Sequence, residues 1–275
     1  MNPEPRTLPR DARVWLTGAS SGIGAALATK LVERGARVAI TARRVDLLEA
    51  LARSTRPVHE GEDSLRAGHD PQFLVVPADV TDAAAVTAAA RHIEAAWGGI
   101  DLAIFNAGGS VAPSADRDPR TFDAAEYAAT MALNYFSVVY GIDAVLPGML
   151  SRGRGHIAAV ASLAGYRPSP VALPYSASKA AVIHLMEGLR LNVAGRGITV
   201  TVVNPGFVKT PLTARHTFRM PFVIEAGDAA ERIVRGLERR KGEIHFPAPL
   251  SWTVKVLRLL PDAIYSRIIT LAAPR

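Results

Sequence analysis

Tyr175 and Lys179 stand four residues apart in Tyr-Ser-Ala-Ser-Lys, opening a run, 180–193, of helical composition. Residues i and i+4 of a helix share one face, so the phenol and the amine would point into the same space. A phenol with an ordinary pKa of about 10 is a poor base at neutral pH, and a neighbouring ammonium favours the phenolate. The spacing therefore predicts a lowered phenol pKa and a group able to exchange a proton with an alcohol or a carbonyl near pH 7. A Tyr and a Lys at a helix start can equally carry no chemistry. The pair gains meaning only from what the rest of the chain brings to it.

A helix with this pair must be placed by a sheet. Arg13–Thr17 reads as a short buried strand, followed by Gly18-Ala19-Ser20-Ser21-Gly22-Ile23-Gly24. A helix over 25–34 comes next, stopped by Gly35, and then a second strand over 36–41. Strand, glycine turn, helix, strand is the βαβ unit of a parallel sheet. Such a turn lets the backbone approach a pyrophosphate, whose charge rests on free N–H groups at the helix N-terminus. The spacing is Gly-x-x-x-Gly-x-Gly, not the common Gly-x-Gly-x-x-Gly. Many βα turns carry glycine, so the signal lies in the context, after a strand and before a helix.

Further strands are expected over 73–76, 100–105, 155–161, 198–203 and 243–246. Helices are expected over 47–53, 83–97, 122–146, 175–194 and 228–240, with Pro147 and Gly148 ending the third of them. Asn106-Ala107-Gly108 and Ser162 follow strands. Asn134 falls mid-helix, where asparagine is a mediocre helix former and where a neighbouring turn could simply satisfy its amide.

The 275 residues suit one α/β domain spanning the chain, with a core over 11–246. Cysteine is absent, which excludes disulfides, thiol chemistry and Cys-ligated metals. The N-terminus lacks the apolar segment of a secretory signal, no run of 18 apolar residues is found, and a cytoplasmic location is expected. The net charge of +7 comes from scattered arginines, many at helix ends, and is not read as nucleic-acid binding. A polar loop over 59–71 carries two histidines and four acids; a metal site is conceivable there, but no regular ligand spacing is present and a solvated loop is expected. The tail, 247–275, places Trp252, Val256, Leu259, Ile264, Ile268 and Leu271 at roughly helical spacing, with Lys255, Arg258 and Arg267 between them. Such a basic amphipathic extension can pack on the body, join subunits or lie on an anionic membrane. Packing or subunit contact is expected.

The second strand is followed by Ala42-Arg43-Arg44, and the next acid is Asp46. NAD-binding folds commonly place an acid here to hold the ribose 2′-OH. An arginine instead binds a 2′-phosphate through two parallel hydrogen bonds. NADP is the expected cofactor, with Arg43 as main contact, Arg44 second, and Ser20 and Ser21 as helpers.

Thr17-Gly18-x-x-x-Gly22-x-Gly24, Asn106-Ala107-Gly108, Asn134, Ser162, Tyr175-x-x-x-Lys179 and Pro205-Gly206 occur in this order over residues 11–246. Together they resemble the short-chain dehydrogenase/reductase family. The resemblance implies a doubly wound Rossmann fold, a seven-stranded parallel sheet of order 3-2-1-4-5-6-7, and use of NAD or NADP. It implies Tyr175 as acid/base, Lys179 as the group that lowers its pKa and holds the nicotinamide ribose, and Ser162 as donor to the substrate oxygen. Asn134 would order a water linking Lys179 to solvent. Asp79 and Val80 would meet the adenine, Asn106, Ala107 and Gly108 would make room for the cofactor, and Pro205, Gly206, Val208 and Thr210 would lie towards the nicotinamide. The expected lid, 207–226, carries Phe218, Met220, Pro221, Phe222 and Val223, which points to an apolar small-molecule substrate. A homodimer or homotetramer is implied. Ser137 departs from the glycine many members carry there, and the histidines match no family role. The alternative to an oxidoreductase is a non-catalytic NADP-binding redox sensor or scaffold.

Overall fold

The computed structural model describes residues 8–55, 72–111, 122–168, 172–215 and 220–272. The loop over 59–71 and Phe218 therefore lie outside the described residues. Seven parallel strands form one sheet: β1 (Arg13–Thr17), β2 (Arg37–Thr41), β3 (Phe73–Val75), β4 (Leu102–Phe105), β5 (Gly155–Val160), β6 (Ile198–Pro205) and β7 (Glu243–Phe246). Their order is β3-β2-β1-β4-β5-β6-β7, as expected. Helices α1 (Gly22–Glu33), α2 (Val45–Ser54), α3 (Ala83–Trp97), α4 (Ala124–Met131), α5 (Ser137–Ser151), α6 (Leu173–Asn192) and α7 (Ala226–Glu238) connect them.

Both faces of the sheet are covered, so the strands read as continuous apolar runs rather than alternating ones. Trp15, Ala103, Phe105 and Ile157 point into one core; Val14, Leu16, Ile104 and Ala158 point into the other. In register, Thr17 is level with Thr41 and with Phe105. The glycine turn, Arg43 and Asn106 therefore leave the sheet along one edge. The strand order reverses between β1 and β4, the place where open α/β sheets form a ligand crevice.

The region expected as one helix over 122–146 differs in two ways. A π turn (Ala132–Phe136) joins α4 to α5, and the helix runs through Pro147 to Ser151. Proline removes the bond to the carbonyl four residues back. Both Pro147 and Asp143 are exposed, so water can take that carbonyl. The joined run Ala124–Ser151 spans 28 residues, and an 18-residue stretch within it reaches mean hydropathy 1.3, which matches a membrane span in length and composition. The joined helix instead lays Val138, Ile142, Val145 and Met149 into the core. Ser137 is buried and donates to the Leu133 carbonyl at 2.6 Å.

After β7 the tail forms α8 (Ala248–Arg258) and α9 (Asp262–Ala272). Leu250 and Val254 pack against the core, and Tyr265 donates to the Pro168 carbonyl at 2.9 Å.

Candidate active site

The glycine turn is fixed by close approach. A Cβ on Gly24 would sit 2.1 Å from the Gly18 carbonyl oxygen, and one on Gly18 would sit 2.7 Å from the Ala107 Cα, with Gly18 at φ 70°. Only glycine fits at either position. Helix α1 starts at Gly22, three residues before the expected start, so Gly22, Ile23 and Gly24 form its first turn. Ser21 at the N-cap makes no side-chain capping bond, and no acid stands in that turn. The leading N–H groups are thus available to an anion. Asn106 clamps the turn by donating to the carbonyls of Thr17 and Gly18, both at 3.2 Å. The Thr17 hydroxyl accepts from the N–H groups of Asn106 and Ala107 at 3.1 and 3.3 Å. Thr17 carries more than the sequence reading gave it; its signal was a threonine directly ahead of the turn.

At the end of β2 the two arginines divide differently from expectation. Arg44 donates to the Ser20 and Ser21 hydroxyls at 2.8 and 3.0 Å. Arg43, its side chain 74% exposed, approaches Asp79 at 3.8 Å. Arg44, not Arg43, is the one already joined to the glycine turn. Asp79 accepts from the backbone and hydroxyl of Thr81, and these bonds hold its carboxyl below the usual range. Val80 beside it is buried.

Tyr175 is the third residue of α6, and Lys179 lies one turn on with 3% exposure. Their electrostatics reverse the expectation. Burial raises the Tyr175 pKa, and only its hydrogen bond with Ser162 works the other way. Burial lowers the Lys179 amine to about 8. The amine donates to the Val160 carbonyl at 2.8 Å and lies 5.7 Å from the centre of the Tyr175 ring. Burial disfavours the charged phenolate, and Lys179, itself desolvated, is not among the groups that lower the phenol pKa. Ser162 accepts from the Ala164 N–H at 3.1 Å, which fixes it at the end of β5.

Asn134 sits in the π turn, fully buried. Its carbonyl accepts from the Gly109 N–H at 2.7 Å, and its amide donates to the Gly109 carbonyl and Ser178 hydroxyl at 3.0 and 2.9 Å. Short π segments often mark functional positions, and this one turns a polar side chain towards the loop after β4. A Cβ on Gly108 would meet Asn134 Oδ1 at 2.7 Å and Lys179 Nζ at 2.9 Å, so Gly108 lies between them.

On the far side, the Gly206 N–H donates to Phe246 at 2.7 Å, and Val208 bridges to Ile224. Thr213, not anticipated, ties the loop: it accepts from the Thr210 N–H and donates to the Val208 carbonyl at 2.9 and 2.7 Å. Most of these parts line one cleft of about 360 Å³, with Leu133, Pro211 and Leu212 as apolar wall. Of the expected site residues, only Asp79 and Asn134 do not line it. Among the described residues no group of three His, Asp or Glu could hold a metal. His156 is buried against the Thr201 hydroxyl at 2.8 Å, away from the cleft.

The fold is that of a known family. A model described as short chain dehydrogenase matches residues 12–219, and the chain belongs to that family. A Myxococcus xanthus protein called an uncharacterized oxidoreductase is 37% identical over 250 residues, covering 91% of this chain and 93% of its own. A short-chain dehydrogenase/reductase of Burkholderia phymatum, solved with NAD, has TM-score 0.74 and 25% identity, covering 90% of this chain and 94% of its own. One from Burkholderia cenocepacia, solved with NADP, has TM-score 0.70 and 28% identity, covering 86% and 96%. The chain is an oxidoreductase of the short-chain dehydrogenase family.

Proposed function

We propose that this chain reduces a carbonyl on an apolar small molecule, reversibly, with NADP(H) as cofactor. The observation that carries the cofactor assignment is the Arg44 guanidinium held on Ser20 and Ser21, beside an uncapped α1 N-terminus, with no acid directly after β2. Guanidinium and two hydroxyls offer a 2′-phosphate several donors, and the free N–H groups suit a pyrophosphate. The nicotinamide supplies or accepts the hydride when bound. Tyr175, kept protonated at neutral pH by burial, gives its proton to the carbonyl oxygen. Ser162, at the end of β5, donates to the same oxygen as charge develops there. Lys179 holds its cation near the phenol and replenishes the proton; Asn134 and Gly109 fix the wall behind it. Leu133 and Leu212 favour an apolar substrate. All four catalytic positions are filled, which supports an enzyme over a cofactor-binding sensor.

The test is a fluorescence titration of wild type, Arg44→Ala and Arg43→Ala with NADPH and NADH. A hydrogen bond to a charged group contributes about 1.5–3 kcal/mol, so Arg44→Ala should weaken NADPH binding about 10- to 100-fold. NADH binding should change far less. A wild type that prefers NADH, or equal losses for both cofactors, overturns the assignment.

A further inference from the structure

The tail repeats one surface pattern twice. Trp252-x-x-Lys255-Val256-x-x-Leu259 lies along α8, and Ile264-x-x-Arg267-Ile268-x-x-Leu271 lies along α9. Positions i, i+4 and i+7 of a helix fall in one narrow stripe, and i+3 borders it. The expectation that the tail packs on the body holds for the opposite faces only. Leu250, Ser251, Val254 and Tyr265 face inward. The six stripe residues stay exposed: Trp252 60%, Val256 58%, Leu259 83%, Ile264 50%, Ile268 40% and Leu271 80%.

Charge decides what suits these stripes. Residues 247–275 hold four bases, Lys255, Arg258, Arg267 and Arg275, against one acid, Asp262. That acid is engaged by Arg167 at 2.8 Å. Lys255 is partly engaged, bonded to Glu243 at 2.8 Å, and Arg258 lies over the Tyr166 ring at 5.6 Å. Arg267 is exposed and makes no ion pair among the described residues. A second copy docked symmetrically would bring like charges together. A bilayer with anionic headgroups accepts both parts, the stripe at the acyl boundary and the bases among the headgroups. Tryptophan favours that boundary as well.

We propose that α8 and α9 form a peripheral docking surface for anionic lipid bilayers, placing the chain on a membrane without crossing it. This does not depend on the cofactor or the reaction.

The experiment is co-sedimentation of the full chain with vesicles of phosphatidylcholine alone and of phosphatidylcholine mixed with phosphatidylglycerol, at low and high salt. The chain should partition onto the anionic vesicles and be released by salt. Each base near such a surface contributes about five-fold in partition, so Arg267→Glu, two charge units, should lower it about twenty-five-fold. Ile264→Ser with Ile268→Ser should lower it by at least about ten-fold. Both changes lie at exposed positions, so thermal midpoint and cofactor binding should match wild type. Should the serine pair fail to fold, Arg267→Glu alone decides. Equal binding to neutral and anionic vesicles, or variants that bind like wild type, would overturn the proposal. So would a serine pair that reduces the mass in solution while wild type ignores vesicles, which would assign the stripes to a second copy.

Discussion

Gly108→Ala probes the contact that organises the proposed catalytic groups. The added Cβ would lie 2.7 Å from Asn134 Oδ1 and 2.9 Å from Lys179 Nζ, where ordinary contact begins at 3.4 Å. Both groups must therefore retreat by roughly half an ångström or more. Neither is free to. Asn134 is held by both backbone groups of Gly109, and Lys179 by the Val160 carbonyl at 2.8 Å. Overpacking of this kind costs about 1–3 kcal/mol, a few degrees in midpoint for a domain of this size. Misplacing catalytic groups by an ångström costs about 10²-fold, so kcat should fall by about that factor while the chain still folds. Gly109→Ala is the control, since its Cβ would meet only Leu212 at 3.4 Å and leave both groups in place. Steady-state kinetics and thermal unfolding of the two variants are the assay. A Gly108→Ala enzyme with wild-type kcat would show that Asn134 and Lys179 need not stand where they do.

Two further outcomes are expected. His156 is buried with its pKa lowered to about 3, so the folded state refuses a proton that the unfolded chain accepts. The stability this gives is complete above about pH 6.5 and is lost as pH falls towards 3, by about 2 kcal/mol between pH 7 and 5. Denaturant unfolding should show that loss in wild type and not in His156→Gln; equal losses would contradict it. Phe122, just ahead of α4, is 73% exposed and Phe136, at the end of the π turn, is 43% exposed, and the protein should sediment as a dimer or tetramer at micromolar concentration. A monomer alone would contradict that.

The strands and the glycine turn were legible because both leave local marks: apolar runs buried on two faces, and glycines where no Cβ fits; the strand order came from the family resemblance. What the sequence hid was geometry set by neighbours. The π turn at Asn134 and the helix running through Pro147 depend on tertiary packing and on an exposed carbonyl, not on propensity. The sign of the Tyr175 shift was missed because i, i+4 spacing reports proximity and says nothing of desolvation. Which arginine reaches Ser20 and Ser21 was not legible, because adjacent side chains point apart and only the fold shows that it is Arg44. The outer stripes of α8 and α9 were visible as a pattern, but their exposure was not.

The most direct test of the central claim compares wild type with Tyr175→Phe. The change removes one hydroxyl inside the cleft and nothing of Arg44, Ser20 or Ser21. NADPH oxidation would be followed with a panel of apolar ketones and aldehydes, beside a titration of cofactor affinity. The account predicts turnover by wild type, unchanged NADPH affinity in the variant, and a fall in turnover of about 10²–10⁴-fold. A wild type that binds NADPH and turns over no carbonyl in the panel, or a variant that keeps full activity, would contradict it.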